Sequence, residues 1–122
     1  MKALLSIKPE FADQIFAGTK RYEFRRAVFK REGVDGVLVY ASSPVQRVIG
    51  EFQIEEIIDD DIESVWRRTR KYAGISRDYF MSYFEGRDRA YAIKVTTPRL
   101  FSRKRRLSYY NVTAAPQSYV YV

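Results

Sequence analysis

The chain has 122 residues, with 22 Lys and Arg against 15 Asp and Glu, a formal net charge of +7, and neither His nor Cys. That inventory excludes a structural zinc site, a thiolate nucleophile, a Ser-His-Asp triad and a His-ligated haem, and leaves any metal with carboxylate ligands alone, the donor set of Mg, Mn or Ca. The 46% hydrophobic and 30% charged composition is that of a folded globular protein, and the length predicts one domain over residues 1–122 with its own core.

In chain order, residues 3–7 read as a first buried strand. The apolar stretch before Lys8 is too short for a signal-peptide core, and no apolar run approaches the roughly 20 residues of a membrane span, so the expected location is cytoplasmic with no membrane partner. Pro9 suits the first position of a helix, and Phe11, Ala12, Ile15 and Phe16 form its apolar stripe up to Gly18. From 20 to 25, Lys20, Tyr22 and Phe24 alternate with Arg21, Glu23 and Arg25, a period of two that predicts a strand with one aromatic face. Val37 to Tyr40 is a short buried strand ending at Ser42-Ser43-Pro44. Residues 46–58 carry the longest strand signal, with Gly50 inside it marking a bulge or a close backbone approach.

Asp59-Asp60-Asp61 invites a metal-site reading, but the residues after it support a helix cap. From Ile62 the residues Val65, Trp66, Thr69, Tyr72 and Ala73 share one helical face, with Asp61 at the N-cap, acids at the start, bases at the end and Gly74 as terminator. A second short helix has Ser76 as N-cap, Ile75 and Phe80 as a hydrophobic staple and Gly86 as its stop. Residues 89–101 return to strand character, with Pro98 at a bulge or an edge. The run Arg103-Lys104-Arg105-Arg106 reads as a solvated loop, or functionally as a phosphate-contacting patch. A loop through Tyr109, Tyr110 and Pro116 leads to a last strand at 119–122. Strands are in the majority, and too little helix lies between them for parallel crossovers. The expected fold is α+β, a small mixed, mostly antiparallel β-barrel with helices packed outside.

The charge is segregated. Residues 1–54 carry nine basic and six acidic side chains, 55–63 six acidic and no basic, and 64–122 thirteen basic and three acidic. Aromatics make up 16% of the chain, and rings beside excess Arg suit both a nucleic-acid surface and a small β-rich core. Phe11, Phe16, Phe52, Trp66 and Phe80 lie on apolar stripes and are assigned to the core, while Tyr40, Tyr109 and Tyr110 flank loops and are the better stacking candidates.

One stretch concentrates chemistry: Gly18-Thr19-Lys20-Arg21-Tyr22-Glu23-Phe24-Arg25. Glu23 and Arg25 share a strand face, so an ion pair is available, and the plain reading is a self-neutralising surface strand. The pattern G-x-K-x-x-E-x-R after a helix that begins near a Pro is followed by Tyr40-Ala41-Ser42-Ser43-Pro44, Val48-Ile49-Gly50-Glu51-Phe52 and Pro116-Gln117-Ser118-Tyr119. In that order it resembles the ASCH domain of the PUA-like superfamily over nearly the whole chain. The resemblance implies a PUA-like barrel whose cleft beside the first helix takes RNA or a nucleotide. It also implies that Lys20, Glu23 and Arg25 line the cleft, with Ser42 and Ser43 adding hydroxyls from a facing loop.

Some ASCH-type proteins remove the acetyl group of N(4)-acetylcytidine with a Lys, a Thr three residues later and a more distant Glu. Lys20 matches the Lys, Glu23 stands at the Thr position, and the distant Glu is Glu51 or Glu55. That departure removes the hydroxyl nucleophile and leaves water attack, with Glu23 or Glu51 as base and Lys20 stabilising the oxyanion. The reading is therefore an RNA- or nucleotide-binding domain in RNA metabolism or in the regulation of transcription or translation. Its cleft is formed by Lys20, Glu23 and Arg25, and its phosphate contacts come from Arg103, Lys104, Arg105 and Arg106. The alternatives are a small amidohydrolase acting through Lys20, Glu23 and Glu51, and a regulatory domain whose basic run meets DNA or protein. No cofactor or metal is expected.

Overall fold

The computed structural model describes residues 1–122. Its elements follow the order β1 (Lys2–Ile7), α1 (Pro9–Ala17), β2 (Tyr22–Arg25), β3 (Gly36–Ala41), β4 (Arg47–Asp61), α2 (Ile62–Thr69), a 3-10 turn (Arg70–Tyr72), α3 (Arg77–Tyr83), β5 (Arg89–Arg105), a second 3-10 turn (Leu107–Tyr110) and β6 (Tyr119–Tyr121). The strands form one six-stranded sheet in the order β2-β5-β4-β3-β1-β6. Only β1 and β3 pair in parallel; the other pairings are antiparallel, so the sheet is mixed and mostly antiparallel, as expected. It curls into a half-barrel with three α-helices packed on it.

Alternation along the strands divides the core. Ala3, Leu5 and Ile7 of β1 and Val37, Val39 and Ala41 of β3 face Ala12 and Ile15 of α1. On the opposite face, Leu4, Leu38, Tyr40, Val48 and Phe101 are covered by Leu107, Tyr110 and Val120. A third cluster, built on Phe24, Phe80 and Phe84, packs α2 and α3 against the far ends of β4 and β5. Both predicted caps form: Asp61 accepts the Ser64 N–H at 2.8 Å and Ser76 accepts the Tyr79 N–H at 3.1 Å.

Two segments depart from the local reading. β4 runs on through Asp59, Asp60 and Asp61 because these residues pair with Tyr91, Ala90 and Arg89 of β5, and Arg89 also forms an ion pair with Asp59 at 2.9 Å. The basic run is not wholly a loop: Arg103 to Arg105 belong to β5, and Arg105 pairs with Val48. The guanidinium of Arg105 lies 4.0 Å from the centroid of Phe101, a contact that offsets the crowding of like charges.

Gly50 marks both of the features expected of it. The β3–β4 and β4–β5 registers shift beside it, and a Cβ there would lie 2.6 Å from both the Arg99 carbonyl oxygen and the Phe16 ring. The register also slips opposite Thr97 and Pro98, where Thr97 takes φ 51°.

Candidate nucleotide pocket

The site grows from the end of α1. Gly18 closes the helix, and the N–H groups of Thr19 and Lys20 both donate to the Gln14 carbonyl, at 3.0 and 3.1 Å. One residue on, the Arg21 N–H donates to the Tyr72 carbonyl and the Arg21 carbonyl accepts the Val95 N–H, each at 2.9 Å. Lys20 is thereby fixed where α1, β2 and the turn after α2 meet. Gly74 makes that meeting possible, since it adopts φ +71° and a Cβ on it would lie 2.7 Å from Lys20 Cγ.

Lys20 is 2% exposed. Its Nζ donates to the Ala73 carbonyl at 2.6 Å and lies 5.1 and 4.8 Å from the ring centroids of Phe11 and Phe24. Two aromatic faces therefore replace part of the water the ammonium has lost. Burial still dominates and pushes the amine down to about 8, against the opposing pull of Glu23.

Glu23 is 6% exposed and turns to Arg25, whose Nη1 lies 3.2 Å from Oε2. Burial pushes the Glu23 carboxyl up, with Arg25 and Lys20 acting in the other direction. Arg25 has further duties. Its Nη1 donates to the Ser6 carbonyl at 3.3 Å and its Nη2 to the Ser118 carbonyl at 2.7 Å. β2 and β6 are the two edges of the sheet, so this one side chain latches the β2 edge to β1 and to the segment leading into β6.

Lys20, Glu23, Phe24 and Arg25 form the floor of a cavity of about 170 Å3. One wall comes from Ser6, Ile7, Lys8 and Phe11, the other from Ile75, Tyr79 and Tyr83. Phe11 and Tyr79 meet edge to face at 5.6 Å, and Lys8 Nζ donates to the Tyr79 hydroxyl at 3.2 Å. A dry cavity of roughly 150 Å3 takes a benzene ring, so this one has room for a single six-membered ring. The ammonium has three donors and gives one to Ala73, and Oε1 of Glu23 has no protein partner. Two donors of the ammonium and an acceptor oxygen of the carboxylate are thus left beside an aromatic wall.

The remaining predicted residues lie elsewhere. The Ser42 N–H donates to the Ile7 carbonyl at 3.0 Å, which puts Ser42 and Ser43 at the cavity's end of the sheet, but neither lines the cavity. Glu51 takes Lys2 at 2.9 Å and Arg99 at 3.3 Å, and the hydrogen bond from Lys2 leads in holding its carboxyl below the usual range. Its partner Lys2 is four residues along β1 from Ser6, about 13 Å at the rise of a strand. Glu55 pairs with Lys94 at 2.7 Å on the surface. The structure therefore does not bring Glu51 to Lys20 and Glu23. Arg103, Lys104, Arg105 and Arg106 line a separate groove with Phe101 and Tyr109. Sequence reasoning misses Tyr79 and Tyr83; their spacing of four on one short helix is the signal that marks a shared face.

No helix is long and apolar enough to cross a membrane. Comparison with known proteins agrees with the fold. The crystal structure of ASCH from Zymomonas mobilis superposes with a TM-score of 0.88 at 31% identity, covering 99% of this chain and 87% of that one. An ASCH domain-containing ribonuclease of Zymomonas mobilis is 36% identical over 91 residues, 75% of this chain and 62% of that protein. The large ribosomal subunit protein uL22 of Ureaplasma parvum is 30% identical over 119 residues, 98% of this chain. This chain spans 38% of that protein's length, and so less than two thirds of either relative. The ASCH domain family itself matches residues 5–99, the stretch that holds the Lys20 motif, the cavity walls and most of the sheet, and the chain belongs to that family.

Proposed function

We propose that the chain acts as one cytoplasmic RNA-binding domain that seats a single base or nucleotide in the Lys20 cavity. The observation that carries this reading is the pairing of a buried ammonium and a buried carboxylate that do not satisfy each other. Lys20 and Glu23 line the same ring-sized cavity, yet no ion pair joins them within 4.0 Å. Burying two charges costs several kcal/mol, and such a cost is retained where a ligand uses the groups. A base edge offers what they lack, an acceptor for Lys20 and an N–H for Glu23, while Phe11 and Tyr79 give its ring aromatic neighbours. The name of the Zymomonas relative supports RNA as the ligand class. Filter binding of single-stranded RNA across a salt series tests the reading. Affinity that falls steeply with salt and is weakened in Lys20→Met agrees with it, and absence of binding at low salt contradicts it.

A second reading, RNA cleavage, draws on the Lys20 amine at about 8, close to working pH. In that reading the 2′-oxygen attacks the adjacent phosphorus as Glu23 takes its proton. Lys20 then protonates the departing 5′-oxygen, leaving a 2′,3′-cyclic phosphate. Incubation with a labelled oligoribonucleotide shows whether that product forms. The deacetylation reading has less behind it, because Glu23 replaces the hydroxyl and the Glu51 carboxylate is held by Lys2 and Arg99 rather than facing the cavity.

A further inference from the structure

The first half of β5 contributes to the cavity floor region through its pairing with β2, while its final stretch carries a different construction. Arg99 lies 5.2 Å from the centroid of Phe101, Arg105 lies 4.0 Å from the same ring on its way to Tyr109 at 4.6 Å, and Tyr109 meets Tyr110 edge to face at 5.0 Å. The Arg105 guanidinium is fixed further by donating to the Tyr110 hydroxyl at 2.8 Å. Cations and rings thus alternate in an ordered ladder. At its end Tyr109 is 65% exposed, the most open of the large apolar side chains.

The charges around the ladder are free. Among its cations only Arg99 has an acidic partner; Arg103, Lys104, Arg105 and Arg106 have none within 4.0 Å. The basic surface of α2 and the turn after it also carries cations without an acidic partner, Arg67, Arg70 and Lys71, beside the pairs Arg68–Glu56 and Arg77–Glu63, but its rings are not open: Trp66 is turned into the core against Phe80 and Arg21 lies over Tyr72 at 4.0 Å. Unpaired cations beside an open, pre-positioned ring are what a single strand of nucleic acid requires, since every base has a face to stack and every residue a phosphate to neutralise.

Register places the ladder close to the cavity. Arg105 pairs with Val48, Val48 with Tyr40 and Tyr40 with Ser6, which lines the cavity. Three strand spacings separate Arg105 from Ser6, about 14 Å. A strand of RNA that covers this span also turns from the α1 side of the sheet to the face that carries Phe101, a path of several nucleotides.

We propose that the Arg99–Phe101–Arg105–Tyr109 ladder is a second contact surface for single-stranded RNA, on which Tyr109 stacks a base several nucleotides from the one in the cavity while Arg103, Lys104 and Arg106 neutralise phosphates. The assignment rests on the RNA-binding reading of the Lys20 cavity and adds a footprint longer than one nucleotide.

The test measures binding of an oligouridylate of about ten nucleotides, within the site sizes of such grooves, against a uridine dinucleotide. Tyr109→Ala binds the longer strand about tenfold more weakly, the loss of one stacked base. Tyr109→Phe, which keeps the ring, binds it like the parent, and the dinucleotide is held equally by all three. The Arg103→Ala, Lys104→Ala double variant lowers the salt dependence of longer-strand binding by about two phosphate contacts. Parent-like binding of the longer strand by Tyr109→Ala, or an equal loss in Tyr109→Phe, overturns the ladder. Lys20→Met separates the two sites. If it leaves dinucleotide binding intact while Tyr109→Ala still weakens the longer strand, the cavity reading fails and the ladder stands.

Discussion

The Arg25 guanidinium and the Ser118 carbonyl oxygen sit on segments at opposite edges of the sheet and are joined at 2.7 Å. Because the same guanidinium pairs with Glu23 and donates to the Ser6 carbonyl, closure of the half-barrel and orientation of the cavity carboxylate depend on one side chain.

Arg25→Ala is therefore expected to do two things. It breaks charge-assisted hydrogen bonds worth roughly 1.5–3 kcal/mol apiece and leaves Glu23 buried without its cation, so stability falls by about 3–5 kcal/mol. Arg25→Lys recovers little, since a single ammonium has no fork with which to reach Ser6, Glu23 and Ser118 together. Urea unfolding measures both variants. A loss below about 1 kcal/mol in Arg25→Ala would show that the latch is not structural.

The stability of the protein carries the signature of Lys20. Its folded value of about 8 is depressed from 10.5. Between those values the unfolded chain binds the proton that the native state has released, so stability rises with pH across that window, by roughly 3 kcal/mol in total. Glu23 acts lower on the scale. Its folded value is raised, so the stability from its protonated form is complete below the ordinary carboxylate value and is lost as pH climbs through the folded one. The difference between parent and Lys20→Met, followed by urea midpoints from neutral to alkaline pH, isolates the Lys20 share. A parent that gains nothing relative to Lys20→Met above pH 8 contradicts the buried ammonium.

Gly50→Ala tests how the strands cross. The new methyl would meet the Arg99 carbonyl and the Phe16 ring at 2.6 Å. Only the ring can yield, so the substitution costs about 1–3 kcal/mol through overpacking. Phe16→Leu in the same chain relieves part of that cost. Thermal unfolding of the single and double variants reads the coupling, and strictly additive losses would mean that Phe16 is not what the methyl meets.

If the chain cleaves RNA, its rate follows a bell. The acid limb lies above the usual carboxylate range and belongs to Glu23, and the alkaline limb lies near 8 and belongs to Lys20. Lys20→Arg keeps the charge but stays protonated, so the alkaline limb moves out of the accessible range while the rate drops. An unchanged limb near 8 in that variant assigns the titration to another group.

Local chemistry is legible in the residues themselves. The Asp61 and Ser76 caps, the stop at Gly18, the bulge at Gly50 and the alternation that sets Lys20 beside Tyr22 and Phe24 depend on neighbours a few positions away, and the structure reproduces them. The features that escape a sequence reading depend on distant partners. The strand read over 46–58 stops short of Asp59 because nothing nearby reveals Tyr91, Ala90 and Arg89 across the ladder, and Arg103 to Arg105, the first two exposed as expected, read as a loop because the pairing partner Val48 is distant in sequence. For the same reason the aromatic wall of Tyr79 and Tyr83, nearly 60 residues beyond Glu23, is invisible from the motif, and Glu51 looks available until Lys2 and Arg99 are seen to hold it.

The proposed function requires that a base enter the cavity between Lys20, Glu23 and the Phe11–Tyr79 wall. A crystal structure of the protein soaked with a uridine or cytidine dinucleotide tests it most directly. The expected result is a six-membered ring in the cavity, with one acceptor atom within hydrogen-bond distance of Lys20 Nζ and one N–H facing Glu23 Oε1. A dinucleotide ordered elsewhere on the protein, with only water in the cavity, would contradict it.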